Sequence, residues 1–458
     1  MSENPKEIVL NEVNFTLPVK RFLIEFSERK QKEMSVTREF VLRFIFLSEA
    51  CTPADITEFF GFTFKEAKYV LKSLEESSYI KWVNDSVSLT DYAKNNFIAK
   101  EDKDMPRFFE VSDDTRNIGF ELSGYNILTI PKSEQNNKLS IDLKVSNENY
   151  IDMAEKARKA FSQQYYEFTN NIIKLGGDRE LYKINHVEPK TDSLFTFKTE
   201  VSLDEPSYRN VFLTFDDERV YDLDTEGRIS GIINDSWEKP KPLNIHRLNT
   251  GLQIFIKETK NTLLANYLRD GVFSVTQLMK DFATSNIKQD VDTQLIIGNL
   301  YTKENRIKIK ALLEYAGKTS LSRPKRMFWT VDPEGKQWGH TSSIMDLVKT
   351  FVNYIDGDLN NLNLLLNTGA NNQELFYQYK DSYRSAFYTI ESTRNSFINE
   401  ATEFVVIPGL FAAGIFHLDG VNDSRMPVPI GMITVNPEQV EMITEKFNEW
   451  LDKPNTLN

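Results

Sequence analysis

Residues 34–97 are the most strongly patterned stretch of this chain, with closely spaced helix caps, apolar faces and turn signals. Ser35 or Thr37 can cap a first helix, because both side chains can accept a hydrogen bond from a free backbone N–H of the first turn. Thr52-Pro53 then opens a short second helix, since proline lacks the N–H that goes unbonded at the first helical position. Gly61 can end this helix in the left-handed conformation.

A third helix and a hairpin complete this pattern. Thr63 can cap the third helix, and Glu66 lies three residues later, where it completes a capping box. Two alternating segments, 80–83 and 87–89, are joined by Asn84-Asp85-Ser86, which predicts a tight hairpin. Three helices followed by a hairpin are typical of a winged helix-turn-helix. The sequence therefore predicts that fold for residues 34–100.

The third helix carries the candidate binding residues. Lys65, Lys68 and Lys72 share one face of it, roughly opposite its apolar residues, and Tyr69 lies among them. In a helix-turn-helix the corresponding helix enters the major groove, and Lys81 on the hairpin could add a phosphate contact. These five residues are the predicted site for double-stranded DNA. The alternatives are a solvated lysine surface and a module for protein interaction or self-association.

The charge distribution argues against a strong DNA binder. The first 100 residues hold 14 Lys and Arg against 15 Asp and Glu, a net charge of −1 out of −12 for the whole chain. Dedicated DNA-binding modules usually have a basic excess, because phosphate neutralisation supplies much of the affinity. The acidic remainder argues against a protein that wraps nucleic acid with its whole surface.

Cysteine content and hydropathy indicate a cytoplasmic protein. Cys51 is the one cysteine, so the chain cannot form an internal disulfide, which fits a reducing compartment. The N-terminus lacks the basic and apolar regions of a signal peptide. No apolar run is long enough to span a bilayer, so no membrane association is expected.

Composition shifts divide the chain into several parts. Charged or proline-rich connectors occur at 101–106 and 237–242. The predicted fold class is α+β multidomain, with a winged helix-turn-helix, a mixed α/β middle domain and an α/β C-terminal domain. The predicted ranges are an arm that is solvated or docks onto a partner (1–33), the winged helix-turn-helix (34–100), the mixed domain (107–236) and the C-terminal domain (243–458).

Three local predictions concern the middle and C-terminal parts. Residues 139–145 alternate strictly and predict a strand, and Ser146 then caps a long helix. A hairpin is predicted around residues 224–227, where Gly227 follows polar residues. Residues 360–372, rich in Asn and Leu, are predicted to form a connector between helices.

Asp142-Leu143-Lys144 is one candidate for metal-dependent chemistry. An acidic residue and a lysine in this spacing, on a strand followed by a helix, form the last element of the PD-(D/E)xK nuclease pattern. The further acids would be Asp113 or Asp114, and Glu121. The simpler interpretation is that Asp142 and Lys144 lie on the polar face of an alternating strand.

The histidines give no metal motif. None of His186, His246, His340 and His417 has a metal-ligand spacing with another His or Cys, so no metal or cofactor is predicted. The third region resembles phospholipase D-like domains in residues 293–299 and in the strand ending at His417. That family requires a lysine two residues after its nucleophilic histidine, and Ser342 and Asp419 occupy those places here. The resemblance therefore implies at most a non-catalytic copy.

The sequence as a whole favours a non-enzymatic cytoplasmic protein that binds DNA or a protein partner through its winged helix. The acidic α/β body would then act as a sensor or an assembly platform. Such a chain could be a regulator, or an accessory subunit of a prokaryotic DNA-transacting or antiviral defence system. The alternative is a metal-dependent nuclease or a phosphodiesterase-like hydrolase.

Overall fold

The computed structural model describes residues 7–97, 106–129, 139–175, 179–204, 210–236, 245–287, 289–317, 324–332, 338–356, 361–366, 373–393, 402–418 and 427–452. The chain forms two compact units, and each is assembled from separate segments. Unit 1 consists of Met1–Pro18, Ile130–Ser146 and Leu194–Asn458, and unit 2 of Val19–Thr129 and Asn147–Ser193. This division differs from the domain ranges inferred from composition, which remain a prediction.

The protein has mixed α and β structure. Its strands, in chain order, are β1 (Ile8–Gln31), β2 (Ala50–Cys51), β3 (Ile80–Val83), β4 (Ser86–Leu89), β5 (Phe109–Glu121), β6 (Ile127–Leu128), β7 (Ile141–Asp142), β8 (Arg179–Leu203), β9 (Val211–Phe215), β10 (Leu268–Arg269), β11 (Val272–Phe273), β12 (Thr293–Ile297), β13 (Met327–Val331), β14 (Leu362–Leu366), β15 (Thr389–Ser392), β16 (Thr402–Ile407), β17 (Phe411–Leu418) and β18 (Val428–Thr434).

The helices lie between these strands. In chain order they are α1 (Val36–Ser48), α2 (Pro53–Phe60), α3 (Phe64–Glu76), α4 (Asp91–Asn95), α5 (Met153–Glu167), α6 (Glu218–Leu223), α7 (Arg228–Ser236), α8 (Ile245–Glu258), α9 (Thr262–Ala265), α10 (Val275–Ala283), α11 (Lys303–Gly317), α12 (Ser343–Val352), α13 (Gln373–Tyr383) and α14 (Pro437–Asp452). Within the described residues, none is both long and apolar enough to cross a bilayer.

A seven-stranded sheet organises unit 1, in the order β12-β18-β17-β16-β13-β14-β15. The pairs from β12 to β13 are antiparallel, whereas β14 runs parallel to both β13 and β15. The central strands are buried on both faces, as β16 and β17 show with no exposed residue. Such strands read as continuous apolar runs because neither face meets water.

Helices cover both faces of this sheet. One face packs against α11, α12 and α13 through a cluster that includes Leu313, Leu347 and Tyr383. The other face packs against α8 and α14, with Phe255 and Phe447 in a second cluster. Unit 1 is therefore a three-layer α/β body. The apolar faces of the helices and the two faces of the sheet bury each other from water.

The first half of β1 is built into unit 1. The Leu10 carbonyl accepts a hydrogen bond from the Asn299 N–H at 2.9 Å, and the Asn14 N–H donates to the His340 carbonyl at 2.6 Å. Gly298, with a φ of +86°, is required at the contact, because a Cβ there would lie 2.3 Å from the Val9 carbonyl oxygen. Residues distant in sequence therefore bury the start of this strand.

The second half of β1 belongs to unit 2. It pairs antiparallel with β5, from Val19 opposite Glu121 to Gln31 opposite Phe109. Aromatic rings of α5 pack on this strand, with the Phe26 and Phe161 centroids 5.1 Å apart. The arm predicted over residues 1–33 is thus one long, largely buried strand in the structure.

Residues 34–97 fold as the local sequence signals indicate. Ser35 caps α1, and both α2 and α3 begin with complete capping boxes at Thr52 and Thr63. Gly61 ends α2 in the left-handed region with a φ of 67°. A small sheet in the order β2-β4-β3 completes this module, and its first strand is an element that the sequence did not indicate. The helix, helix, helix, hairpin order is present.

Three local predictions are wrong. Residues 224–227 form a short 3-10 turn between α6 and α7 instead of a hairpin, with Glu226 at a φ of 64°. The predicted strand over 139–145 shortens to β7, and α5 begins after Asp152 rather than at Ser146. The predicted connector at 360–372 contains β14, a buried strand of the main sheet, and residues 367–372 lie outside the described residues.

Candidate functional site

Helix α3 presents the predicted DNA-binding residues to solvent. Ala67, Leu71 and Leu74 form its buried face. Lys65, Lys68 and Lys72 are exposed, and Tyr69 is 77% exposed, so all four candidates on this helix are accessible. The capping box fixes where the helix starts, because the Thr63 hydroxyl accepts from the Glu66 N–H and the Glu66 carboxylate accepts from the Thr63 N–H.

The charges of these lysines are largely uncompensated. Within the described residues, neither Lys65 nor Lys68 has an ion-pair or hydrogen-bond partner, whereas Lys72 faces Glu76 at 3.9 Å. Over the full length of α3, three lysines are balanced by three glutamates. Two glutamates are in the last turn, so positive charge is concentrated in the first two turns.

The hairpin places Lys81 on β3, where its side chain is exposed. Trp82 and Val83 follow it and are also exposed, at 42% and 52%. The turn consists of Asn84, at a φ of 54°, and Asp85. The tip of the hairpin is therefore a mixed surface, with one cation, two apolar side chains and one acid close together. Lys81 is the group at this tip that could bind a phosphate.

An exposed aromatic cluster lies on α1 and α2, in the same module. The ring of Phe59, which is 67% exposed, stands 4.6 Å from the ring of Phe44 and 4.9 Å from that of Phe60. Phe60 in turn stacks on Phe62 at 5.3 Å. Phe59 therefore lies mainly in solvent while the rings of Phe44 and Phe60 pack against it.

The residues of the nuclease pattern do not converge on a metal site. Asp142 and Lys144 are both exposed, as expected for the polar face of an alternating segment. Among the described residues, no group of three or more His, Cys, Asp or Glu side chains is arranged to hold a metal ion. The Asp142 triplet therefore has no geometric support as a catalytic element.

His417 lies inside unit 1, in a polar cluster closed to solvent. Its Nε2 is 3.2 Å from Glu403 Oε2, and both side chains are almost fully buried. The indole N–H groups of Trp329 and Trp338 donate to Glu403 Oε1 at 2.8 and 3.1 Å. A nucleophilic histidine must reach its substrate, so this burial disfavours a catalytic role.

Glu12 forms a second buried polar centre, which the sequence did not indicate. Its side chain has no exposed surface, and its Oε1 accepts from the Lys303 N–H at 2.6 Å. The Ser343 hydroxyl donates to Oε2, and Lys198 Nζ lies 3.4 Å from the same oxygen. Arg306 Nη2 is at 3.9 Å. A buried carboxylate needs such partners because it has lost its hydration.

Comparisons with known proteins leave the family open. No family model matches this chain, and no curated protein matches it. A phospholipase D family member, Nuc from Salmonella typhimurium, aligns over 34% of this chain and 92% of its own, with 11% identity and a TM-score of 0.20.

A second solved structure also aligns. TrmBL2, an archaeal chromatin protein described as having a novel mode of DNA binding, covers 51% of this chain and 70% of its own, with 12% identity and a TM-score of 0.22. At TM-scores this low, neither likeness identifies a fold or an activity.

Proposed function

We propose that residues 34–97 form a winged helix that binds double-stranded DNA, with α3 in the major groove. The observation that carries the proposal is the exposed face formed by Lys65, Lys68 and Lys72, opposite the buried face of the same helix. Tyr69 would lie against the DNA between them, and Lys81 would contact a phosphate from the hairpin.

The affinity of this module should be modest. Residues 34–97 contain seven Lys and Arg against nine Asp and Glu, so there is no general basic surface to draw DNA in. Binding would depend on a few lysines that have no competing acid. Each phosphate contact contributes a salt-dependent term to the affinity, so the number of such contacts can be measured.

The remaining residues would then serve as a sensor or an assembly platform for the DNA-binding module. Their net charge of −10 would keep DNA away from unit 1 and would favour binding through α3. This division of labour suits a regulator better than a hydrolase, since Asp142, Lys144 and His417 lack the surroundings that catalysis requires.

The test is a fluorescence-anisotropy titration of the full chain on labelled duplex DNA at several salt concentrations. The variant Lys65→Glu/Lys68→Glu/Lys72→Glu should lose binding, and any residual binding should have a log–log salt slope smaller by about 3. A matched control reverses three exposed lysines of unit 1, Lys257, Lys310 and Lys349, and so changes the net charge equally.

Salt-sensitive binding that only the α3 reversal abolishes would support the proposal. If both triple variants lose affinity equally, overall charge rather than α3 determines binding, and the proposed interface is wrong. If the unmodified chain fails to bind duplex DNA at low salt, the module must be assigned to protein interaction or self-association.

A further inference from the structure

Unit 1 contains an open cleft of about 380 Å³ that no part of the proposed function uses. Its lining comes from β1, β8, the segment between β9 and α6, α11 and the start of α12. A cleft of this size is within the range of small-molecule sites, but those are usually lined by apolar side chains. Here the lining is almost wholly polar, so a hydrophobic ligand would not fit it.

Asn14 contributes an unused donor to the lining of the cleft. Asn14 is 4% exposed, and its Oδ1 accepts from the Thr341 hydroxyl at 3.5 Å. Within the described residues its Nδ2 has no hydrogen-bond partner, although this side chain lines the cleft. This amide therefore has donor capacity left for an acceptor in the cleft.

Two cations stand beside this amide. Lys198 and Arg306 both line the cleft, and each is about three-quarters buried. Arg306 contacts Asp346 at 3.4 Å and Glu12 at 3.9 Å, and its Nε is buried without a hydrogen-bond partner among the described residues. A guanidinium has five N–H donors, and the two terminal nitrogens carry four of them, of which one is hydrogen-bonded to Asp346, so donors remain for an oxyanion.

Two of the three carboxylates that line the cleft are more exposed than Lys198 and Arg306. Asp216 and Asp346 are exposed, while Asp217 is held by the guanidinium of Arg219 through Oδ2 at 2.6 Å. The Asp216 Oδ1 accepts only from the Lys198 backbone N–H, at 2.9 Å. This rim therefore offers an acidic group that no described cation neutralises.

The site contains charges of both signs. With Glu12 and Arg219 included, the cleft holds three cations and four carboxylates. A simple anion would be repelled by the net negative charge of the site, and a simple cation would be repelled by Lys198 and Arg306. A ligand that carries both an anionic and a cationic group can pair its anion with Lys198 and Arg306 and its cation with Asp216. Three carboxylates line the cleft itself, but no group of described residues forms a metal site, so a cation alone is not the expected occupant.

We propose that this cleft binds a small zwitterion, such as an amino acid or an aminoalkyl phosphate. Its oxyanion lies against Asn14 Nδ2, Lys198 and Arg306, and its ammonium group faces Asp216 at the rim. The site lies entirely within unit 1, and the proposal does not depend on DNA binding.

The experiment is isothermal titration calorimetry on the full chain with two kinds of zwitterion, the standard α-amino acids and phosphoethanolamine. Acetate, inorganic phosphate and ethylammonium serve as matched half-molecules. We expect saturable one-to-one binding of at least one zwitterion, with every half-molecule bound at least about tenfold more weakly, because each lacks one set of charge-assisted bonds. Comparing carboxylates with phosphoethanolamine identifies the oxyanion.

Two variants separate the ends of the ligand. Arg306→Gln should weaken the zwitterion about tenfold or more and should weaken the anionic half-molecules as well. Asp216→Asn keeps the acceptor for the Lys198 N–H and should weaken the zwitterion while strengthening binding of acetate or phosphate. Asp222→Asn, an exposed neutralisation outside the cleft, is the control for Asp216→Asn and should change nothing.

Asp216 is exposed, so its variant should fold even if Arg306→Gln, which loses a contact to buried Glu12, does not. Three results would each overturn the proposal: no zwitterion saturates the site, a half-molecule binds as tightly as the zwitterion, or Asp216→Asn behaves like Asp222→Asn.

Discussion

The lysines of α3 stand in solvent with few partners, whereas Lys198 and Arg306 converge on Glu12, a carboxylate with no exposed surface. The same charged groups thus occur in two different environments. Exposed charges contribute little to stability because water and salt screen them. Buried charges depend on each other, since removing one leaves the others desolvated without compensation.

This difference separates two kinds of residue. Charges on α3 can be changed without cost to the fold, so their presence is informative about a binding partner. The charges around Glu12 contribute to the folding of unit 1. A mutation of one of them is therefore expected to change the stability of the fold before it changes any binding. Mutations of the α3 lysines should therefore change ligand binding, whereas mutations around Glu12 should change the stability of unit 1.

The largest effect on stability should come from Glu12→Ala. This change leaves Lys198 and Arg306 facing an empty buried site, and we expect the free energy of unfolding of unit 1 to fall by about 3–5 kcal/mol. Urea denaturation of the full chain, followed by the fluorescence of buried Trp329 and Trp338, measures it. The control is Glu25→Ala, an exposed glutamate on the same strand, expected within about 0.5 kcal/mol. Equal effects would contradict the contrast.

The next effect should be a loss of stability in acid caused by His340. Burial lowers the pKa of His340 from 6.5 to about 4, and its Nδ1 is buried without a hydrogen-bond partner among the described residues. Below pH 6.5 the unfolded chain therefore binds a proton that the folded chain does not, so stability falls with pH until about pH 4.

The full contribution of this histidine is about 3 kcal/mol, spread over that pH range. The unfolding free energies of the protein and of His340→Gln, measured from pH 7 to pH 4, should change in favour of the variant as the pH falls. Parallel curves for the two proteins would show that His340 titrates normally.

A smaller effect should follow from loss of the α3 cap. Thr63→Ala removes an acceptor for the Glu66 N–H, and we expect the module of residues 34–97 to lose about 1 kcal/mol of stability. Hydrogen bonds from the Thr63 N–H and, second, from its hydroxyl lower the pKa of Glu66, so the variant, which loses only the hydroxyl, should raise that pKa part of the way towards its ordinary value. A carbon-detected NMR titration measures the pKa of Glu66, and urea denaturation followed by the NMR signals of the module measures its stability. Thr37→Ala, an exposed threonine inside α1, is the control and should leave the module unchanged.

The smallest effect on stability should come from reversing Lys65, Lys68 and Lys72. Because these side chains are exposed, the free energy of unfolding should change by no more than about 0.5 kcal/mol, and the melting temperature should shift only slightly. Differential scanning calorimetry tests this in the same samples used for DNA binding. A large drop in stability would show that these lysines support the fold, and it would weaken their use as evidence for a ligand.

The sequence predicts the module of residues 34–97 well because its determinants are local. The caps at Thr52 and Thr63 and the left-handed Gly61 act on residues within one helical turn. The lysine face of α3 follows from helical spacing alone. The short β2 was not predicted, since two residues carry no periodicity and its partner β4 lies far along the chain.

Other parts depend on residues far apart in sequence, and they could not be predicted. β14 reads as a connector because neither of its faces meets water, so it shows no alternation. The hairpin signal at Gly227 fails because the Asp224 carboxylate accepts from the Ser230 N–H and hydroxyl and so starts α7. Glu12 looks like any glutamate in an arm, since Lys303 and Ser343 are about 300 positions away.

Because its two halves pair with segments made at different times, the long strand β1 determines the order in which the two units can fold during synthesis. Residues near Leu10 leave the ribosome early, yet the segments that bury them, around Asn299 and His340, are made much later. In contrast, β5, which pairs with the second half of the strand, ends at Glu121. Unit 2 can therefore complete its fold during translation while the start of β1 waits without its partners. An unpaired strand exposes backbone N–H and C=O groups that promote aggregation. Slow elongation would therefore increase aggregation through the unpaired start of β1 in unit 1, and it would have little effect on unit 2.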